Sequence, residues 1–130
     1  MTRSRVLLID DDIELLRQMA SSFTAAGYDV QVAVDGQTGL ARYLANPTDL
    51  VVTDIIMPNR EGIETIMALK KATPAPKIIA VSGGYRVGPK DFLDLARHAG
   101  AHGVLAKPFR LAALLTLAQS VLAPAWAKVA

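Results

Sequence analysis

Two hydrophobic periods alternate along the chain. Five short runs are apolar and mostly rich in β-branched residues: RVLLI (Arg5–Ile9), DVQVAV (Asp29–Val34), LVVT (Leu50–Thr53), KIIAV (Lys77–Val81) and GVLA (Gly103–Ala106). Runs of this length and character are what strands buried on both faces require. Between them, apolar residues recur three and four apart, the period of a helix with one buried face. Asp12–Ala26 places Ile13, Leu16, Ala20 and Phe23 on one side and meets a stop at Gly27. A shorter helix is predicted from Gln37 to Ala45, ended by Asn46–Pro47. Ile63–Ala72 carries Ile63, Ile66, Met67 and the stem of Lys70 inward, and Lys90–Ala99 carries Phe92, Leu95, Ala96 and Ala99. Leu111–Ala123 is the last helix, with Leu111, Leu114, Leu115, Ala118, Val121 and Leu122 serving the core and Leu117 left over.

Five strand–helix repeats in so short a chain imply an α/β fold: a single doubly wound, five-stranded parallel sheet with helices on both faces. No repeat, low-complexity tract or linker divides the 130 residues. The expectation is one domain, with its core over about 4–123, a short tail at 124–130 and no output domain.

Composition narrows the function classes. The chain has no cysteine, which excludes disulfides and thiolate metal sites. The N-terminus lacks the long apolar segment of a signal peptide, and no apolar run approaches the ~20 residues that span a bilayer. A cytoplasmic protein without membrane insertion is expected. The net charge of +2 is too small to imply direct nucleic-acid binding. Its distribution is uneven: residues 1–76 hold seven Lys/Arg against ten Asp/Glu, and residues 77–130 hold seven against two. The acidic half invites a cation.

In parallel sheets of this kind, sites form at the carboxyl ends of the strands, where strand order reverses. Those ends carry Asp10 and Asp11 after the first strand, Asp54 after the third, Ser82 after the fourth and Lys107 after the fifth. Asp12, just before Ile13, suits a helix N-cap. Three carboxylates in one cleft stay ionised only beside a cation. An all-oxygen donor set favours Mg²⁺ over zinc. With a hydroxyl and an ammonium added, the cleft accommodates a tetrahedral dianion while an Asp54 oxygen attacks phosphorus.

LLIDDD, LVVTDIIMPNREG, IIAVS and GVLAKPF together resemble the receiver domain of two-component response regulators, of the stand-alone, chemotaxis-regulator-like kind. The resemblance covers nearly the whole chain. It implies a flavodoxin-like fold with strand order 2-1-3-4-5. It makes Asp54 the phosphoacceptor and Asp10 and Asp11 the acidic Mg²⁺ pair, with Ile56 as a further ligand through its backbone carbonyl. Ser82 becomes the switch hydroxyl and Lys107 the phosphate-pairing lysine, followed by a cis bond to Pro108. Gly83 leaves the phosphoryl group accessible. Such a domain takes a phosphoryl group from a histidine kinase or histidine phosphotransfer protein and signals through altered contacts with a downstream protein. It is a monomer or a phosphorylation-dependent dimer, and it catalyses only its own phosphoryl transfer and dephosphorylation.

Two positions depart from the family pattern. Val104 stands where a fifth-strand Tyr or Phe is usual, and the segment GGYRVGP after Ser82 is longer and richer in glycine. Phosphate capture is untouched by either change. The route to the output surface is altered, and Tyr85 within that segment is a candidate substitute. The enzymatic alternative is a haloacid-dehalogenase-like phosphatase, which would use Asp10 and Asp12. It leaves Asp54–Met57–Pro58 unexplained and lacks an acidic pair after the lysine. His98 and His102 are four apart but interrupted by Gly100, and metal binding is not expected of them. Trp126 is expected to fold back on the last helix.

Overall fold

The apolar runs form the strands and the helical periods the helices. The order is β1 (Arg5–Ile9), α1 (Ile13–Ala25), β2 (Asp29–Ala33), α2 (Gly36–Ala45), β3 (Leu50–Asp54), α3 (Glu61–Lys71), β4 (Lys77–Ser82), α4 (Pro89–Ala99), β5 (Gly103–Ala106) and α5 (Leu111–Leu122). This computed structural model describes residues 3–55, 61–83, 89–124 and 126, the side chains of Glu61 and residues 89–93 excepted. All strand pairs are parallel, in the order β2-β1-β3-β4-β5. β1 therefore lies between β2 and β3, and strand order reverses there. That places the carboxyl ends of β1 and β3, with Asp10 and Asp54, side by side.

Alternate residues of the central strands feed two separate cores. Val6 and Leu8 of β1, Leu50 and Val52 of β3, and Ile79 and Val81 of β4 pack with Leu16, Met19 and Phe23 of α1 and Leu114, Ala118 and Val121 of α5. Leu7, Ile9, Val51, Ile78 and Ala80 face the other way, onto Tyr43 of α2, Ile66 and Leu69 of α3 and Ala96 of α4. Apart from the exposed Arg5 and Lys77 at their starts, the inner strands are buried, whereas β2 and β5, at the edges, are only partly so.

Local chemistry sets the element ends. Asp12 caps α1 by accepting the Leu15 N–H at 3.1 Å, and Asp35 caps α2 by accepting the Thr38 N–H at 2.7 Å. After α1 the chain turns at Gly27, whose φ of +98° is strained for any residue with a Cβ. Tyr28 then stacks edge-on against the buried Phe23 ring at 5.0 Å. At the amino end of the sheet the buried Tyr43 donates its hydroxyl to the Pro74 carbonyl at 2.6 Å.

Several inward assignments shift. Ile13, Met67 and Leu95 are each half exposed. Ile13 belongs to the first turn of α1, which starts just beyond the carboxyl end of β1, and Met19 takes a core place instead. On α3 the buried stripe is Gly62, Thr65, Ile66 and Leu69. Its rotation is fixed by Gly62, where an added Cβ would lie 2.6 Å from the carbonyl carbon and oxygen of Ile55. Leu117 packs against the core rather than being left over, because it bears on Gly103 of β5. Trp126 does not fold back: it is 79% exposed.

Candidate functional site

Four strand ends meet at the carboxyl edge of the sheet. Asp10 follows β1 and is fully buried, Asp54 ends β3 and is almost so, and Asp11 is exposed at the rim. One carboxylate oxygen from each of these three lies within 4.8 Å of the others. A divalent cation that prefers oxygen ligands fits such a set, and neither imidazole nor thiolate contributes to it.

Lys107 closes the cleft from β5. Its ammonium donates to Asp54 Oδ2 at 2.8 Å and to Asp10 Oδ2 at 3.0 Å, with its side chain only 20% exposed. Burial alone would lower its pKa, but the hydrogen bonds and charges of Asp54 and Asp10 outweigh burial and hold it above the usual lysine value. The backbone directs it: Lys107 N–H donates to the Ser82 carbonyl at 2.7 Å, continuing the β4–β5 ladder one step past the strand. The peptide to Pro108 is cis, as the resemblance implies.

Ser82 ends β4 fully buried, and its Oγ has no hydrogen-bond partner among the described residues. A buried hydroxyl left without a partner carries a desolvation penalty, so a group able to accept from it would be favoured here. Gly83 follows, partly buried. Ile56, the expected backbone ligand, lies outside the described residues, as do Tyr85 and most of the segment after Ser82. Ile55 is described, and its N–H donates to the Val81 carbonyl at 3.0 Å, tying the chain beyond Asp54 to β4.

The structure thus brings together Asp10, Asp11, Asp54, Ser82 and Lys107. It keeps the Asp12 side chain out, since that carboxylate caps α1 instead of facing the cleft as the phosphatase alternative requires. The Asp12 backbone has a part that residue patterning does not announce: its N–H donates to Asp10 Oδ1 at 2.8 Å, an Asx-type contact. Both histidines hydrogen-bond to backbone. His98 Nδ1 lies 2.8 Å from the Asp94 carbonyl oxygen, and His102 Nδ1 accepts the Ile78 N–H at 3.0 Å. Val104, partly buried, packs on the core beneath α2, α3 and α4.

A family model described as the response regulator receiver domain matches residues 6–119. The transcriptional regulatory protein PrrA of Mycobacterium tuberculosis is 32% identical over 121 residues, which make up 93% of this chain and 51% of that protein. CpxR of Escherichia coli is 32% identical over 119 residues, 92% of this chain and 49% of CpxR. The chain thus spans about half the length of these curated relatives. Among solved structures, the chemotaxis response regulator CheY4 of Vibrio cholerae superposes with a TM-score of 0.83 at 29% identity, covering 93% of this chain and 100% of that one. A CheY-like receiver domain protein of Methanospirillum hungatei gives 0.81 at 29% identity, over 93% and 94%.

Proposed function

The chain belongs to the response regulator receiver-domain family, and on that premise we propose that it is a phosphorylatable switch whose acceptor is Asp54. The observation that carries this reading is the pairing of a metal-competent carboxylate cluster with a buried hydroxyl that has no partner among the described residues and a lysine that spans two acids. Asp10 and Asp11 would hold Mg²⁺, together with Asp54 and the Ile56 carbonyl. Bound there, the ion would neutralise charge on the transferring phosphoryl group.

The chain's own groups divide the remaining work. An Asp54 carboxylate oxygen attacks phosphorus of a phosphohistidine; an O–P bond forms, the N–P bond breaks, and the donor imidazole takes a proton from water. Lys107 turns from Asp10 to a phosphoryl oxygen, and Ser82 Oγ–H donates to another. Gly83, without a side chain, keeps the approach open. The donor is a histidine kinase or a histidine phosphotransfer protein, and the output is an altered contact with a downstream protein at α4, β5 and α5, where Arg97 and Arg110 are exposed. The cytoplasm, where such kinases present phosphohistidine, is the proposed location.

Incubation with acetyl phosphate and Mg²⁺ should add a single phosphoryl group to the intact mass, and Asp54→Asn should abolish it. Undiminished label in that variant refutes the assignment. Charge reversal at Arg97 or Arg110 should weaken partner capture while leaving phosphorylation unchanged.

A further inference from the structure

The third aspartate of the acidic run has a double attachment that the phosphoryl-transfer reading does not use. Its carboxylate holds the Leu15 N–H at 3.1 Å and thereby caps α1, while its own N–H donates to Asp10 Oδ1 at 2.8 Å. Asp10 is fully buried, and its other oxygen, Oδ2, is taken by Lys107 at 3.0 Å. Among the described residues each oxygen of this carboxylate therefore has one donor, and the two donors fix the plane of the group. Lys107 is a long, mobile side chain that the proposed chemistry draws away towards a phosphoryl oxygen. The Asp12 amide is backbone, locked by the first turn of α1, whose Leu16 N–H closes onto the Asp12 carbonyl at 2.9 Å.

We infer that Asp12 is a positioning residue for the metal site, acting through its backbone N–H to hold the Asp10 carboxylate in a fixed orientation whether or not Lys107 remains. The inference rests on the reading of Asp10 and Asp11 as metal carboxylates. Its physical basis is general: a donor that orients a metal-binding carboxylate spares the ion the entropy of ordering it, and losing such a partner weakens metal affinity by about 10–100-fold. It also gives α1 a mechanical link to the site. A shift of the first turn moves the Asp12 N–H, and Asp10 follows.

The bond is to backbone, so ordinary substitutions preserve it and proline removes it. Asp12 has φ −79° and ψ 100°, values that proline adopts, and it is the N-cap rather than an interior helical residue. Three variants separate the effects. Asp12→Asn keeps the N–H and a capping oxygen; Asp12→Ala keeps the N–H but loses the cap; Asp12→Pro loses both. Alanine and proline also remove the same charge, so charge and cap cancel in their comparison, which leaves the N–H and proline's restriction of Asp11. Mg²⁺ affinity, read by NMR titration or calorimetry, should be about tenfold weaker in Asp12→Pro than in Asp12→Ala. Thermal stability should fall in both, which lack the cap, and further in Asp12→Pro, which also leaves a buried Asp10 oxygen without its donor. Equal Mg²⁺ affinities in a folded Asp12→Pro overturn the inference. Should that variant not fold, hydrogen exchange of the native protein decides: the Asp12 amide should be protected, and exchange at the rate of an open peptide overturns the inference equally. Asp11→Asn distinguishes the two levels of argument. If it leaves Mg²⁺ binding intact, the metal reading itself fails; if it abolishes binding while Asp12→Pro matches Asp12→Ala, only the positioning role is lost.

Discussion

Replacing Lys107 by methionine keeps most of the buried stem and deletes one charge, which makes it a direct probe of what the ammonium does before any metal arrives. Lys107 lies 2.8 Å from an Asp54 oxygen and 3.0 Å from an Asp10 oxygen, and both acids are buried. Deleting one partner of a buried ion pair costs about 3–5 kcal/mol, because the remaining charge is left uncompensated. Here the lysine side chain is 20% exposed and water screens part of the charge, so the lower end applies, about 3 kcal/mol. Urea unfolding in the presence of a chelator should then show the midpoint falling by about 1–2 M at unchanged slope.

Mg²⁺ should reverse much of that loss. On the proposed metal reading the ion would enter against Lys107 in the native protein, whereas in Lys107→Met it would meet the same carboxylates without that ammonium. Added Mg²⁺ should therefore stabilise the variant more than the native protein; a ligand at a hundred times its Kd contributes about 2.7 kcal/mol. The pH dependence carries its own sign. The folded Lys107 pKa is raised, so its stabilisation is fully present below the unfolded value of about 10.4 and is lost as pH rises through the higher folded value. The gap between native protein and variant should thus persist through neutral and mildly alkaline pH and close only above the ordinary lysine range. A variant as stable as the native protein in chelator, or an identical Mg²⁺ gain in both, refutes the reasoning.

Gly62→Ala should destabilise by about 3 kcal/mol, since the added Cβ meets Ile55 backbone that has nowhere to move, and truncating the Ile55 side chain should not restore the loss. Gly39→Ala should be milder, because its Cβ meets the Ile9 side chain, Cδ1 and Cγ1 nearest, rather than backbone, and Ile9→Val should recover part of the deficit; both are read from thermal melts. Tyr43→Phe should lose about 1 kcal/mol in urea unfolding, the worth of the 2.6 Å bond to Pro74, and an unchanged midpoint would show that bond to contribute nothing net. Asp35 has its pKa lowered, chiefly by the Thr38 backbone N–H, so its stabilisation is present above the unfolded carboxylate value and lost as pH falls. Asp35→Ala should therefore melt below the native protein at neutral pH, and the two should converge in acid.

The elements and their order were legible because parallel strands buried on both faces leave a signal of their own: VLLI, LVVT and KIIAV have no helical period. The site was legible because doubly wound sheets gather chemistry at strand ends, and polar residues there stand out against apolar runs. Rotation of the helices was less so. Ile13 and Met67 obey helical spacing, but which side of a helix meets the sheet depends on contacts distant in sequence, such as Gly62 on Ile55. Backbone partnerships were invisible for the same reason. Nothing in the letters Asp10 and Asp12 says that one donates its amide to the other, or that the His102 ring stands in for a carbonyl opposite Ile78. The fate of Trp126 turned on a tail too short and too weakly patterned to indicate packing.

The exposed Trp126 has a practical consequence for spectroscopy. It is the sole tryptophan, and α5 runs from the site end of the sheet towards the amino ends of the strands, so its 12 residues separate the indole from the acidic cleft by about 18 Å. With its ring 79% exposed, its emission should have the long wavelength of a solvated indole, and small quenchers in solution should reach it. Intrinsic fluorescence should therefore stay silent under the metal and phosphoryl binding proposed at Asp54, yet respond by blue shift and loss of quenching to any protein that covers the end of α5. Trp126 would thus report association and be blind to the proposed chemistry.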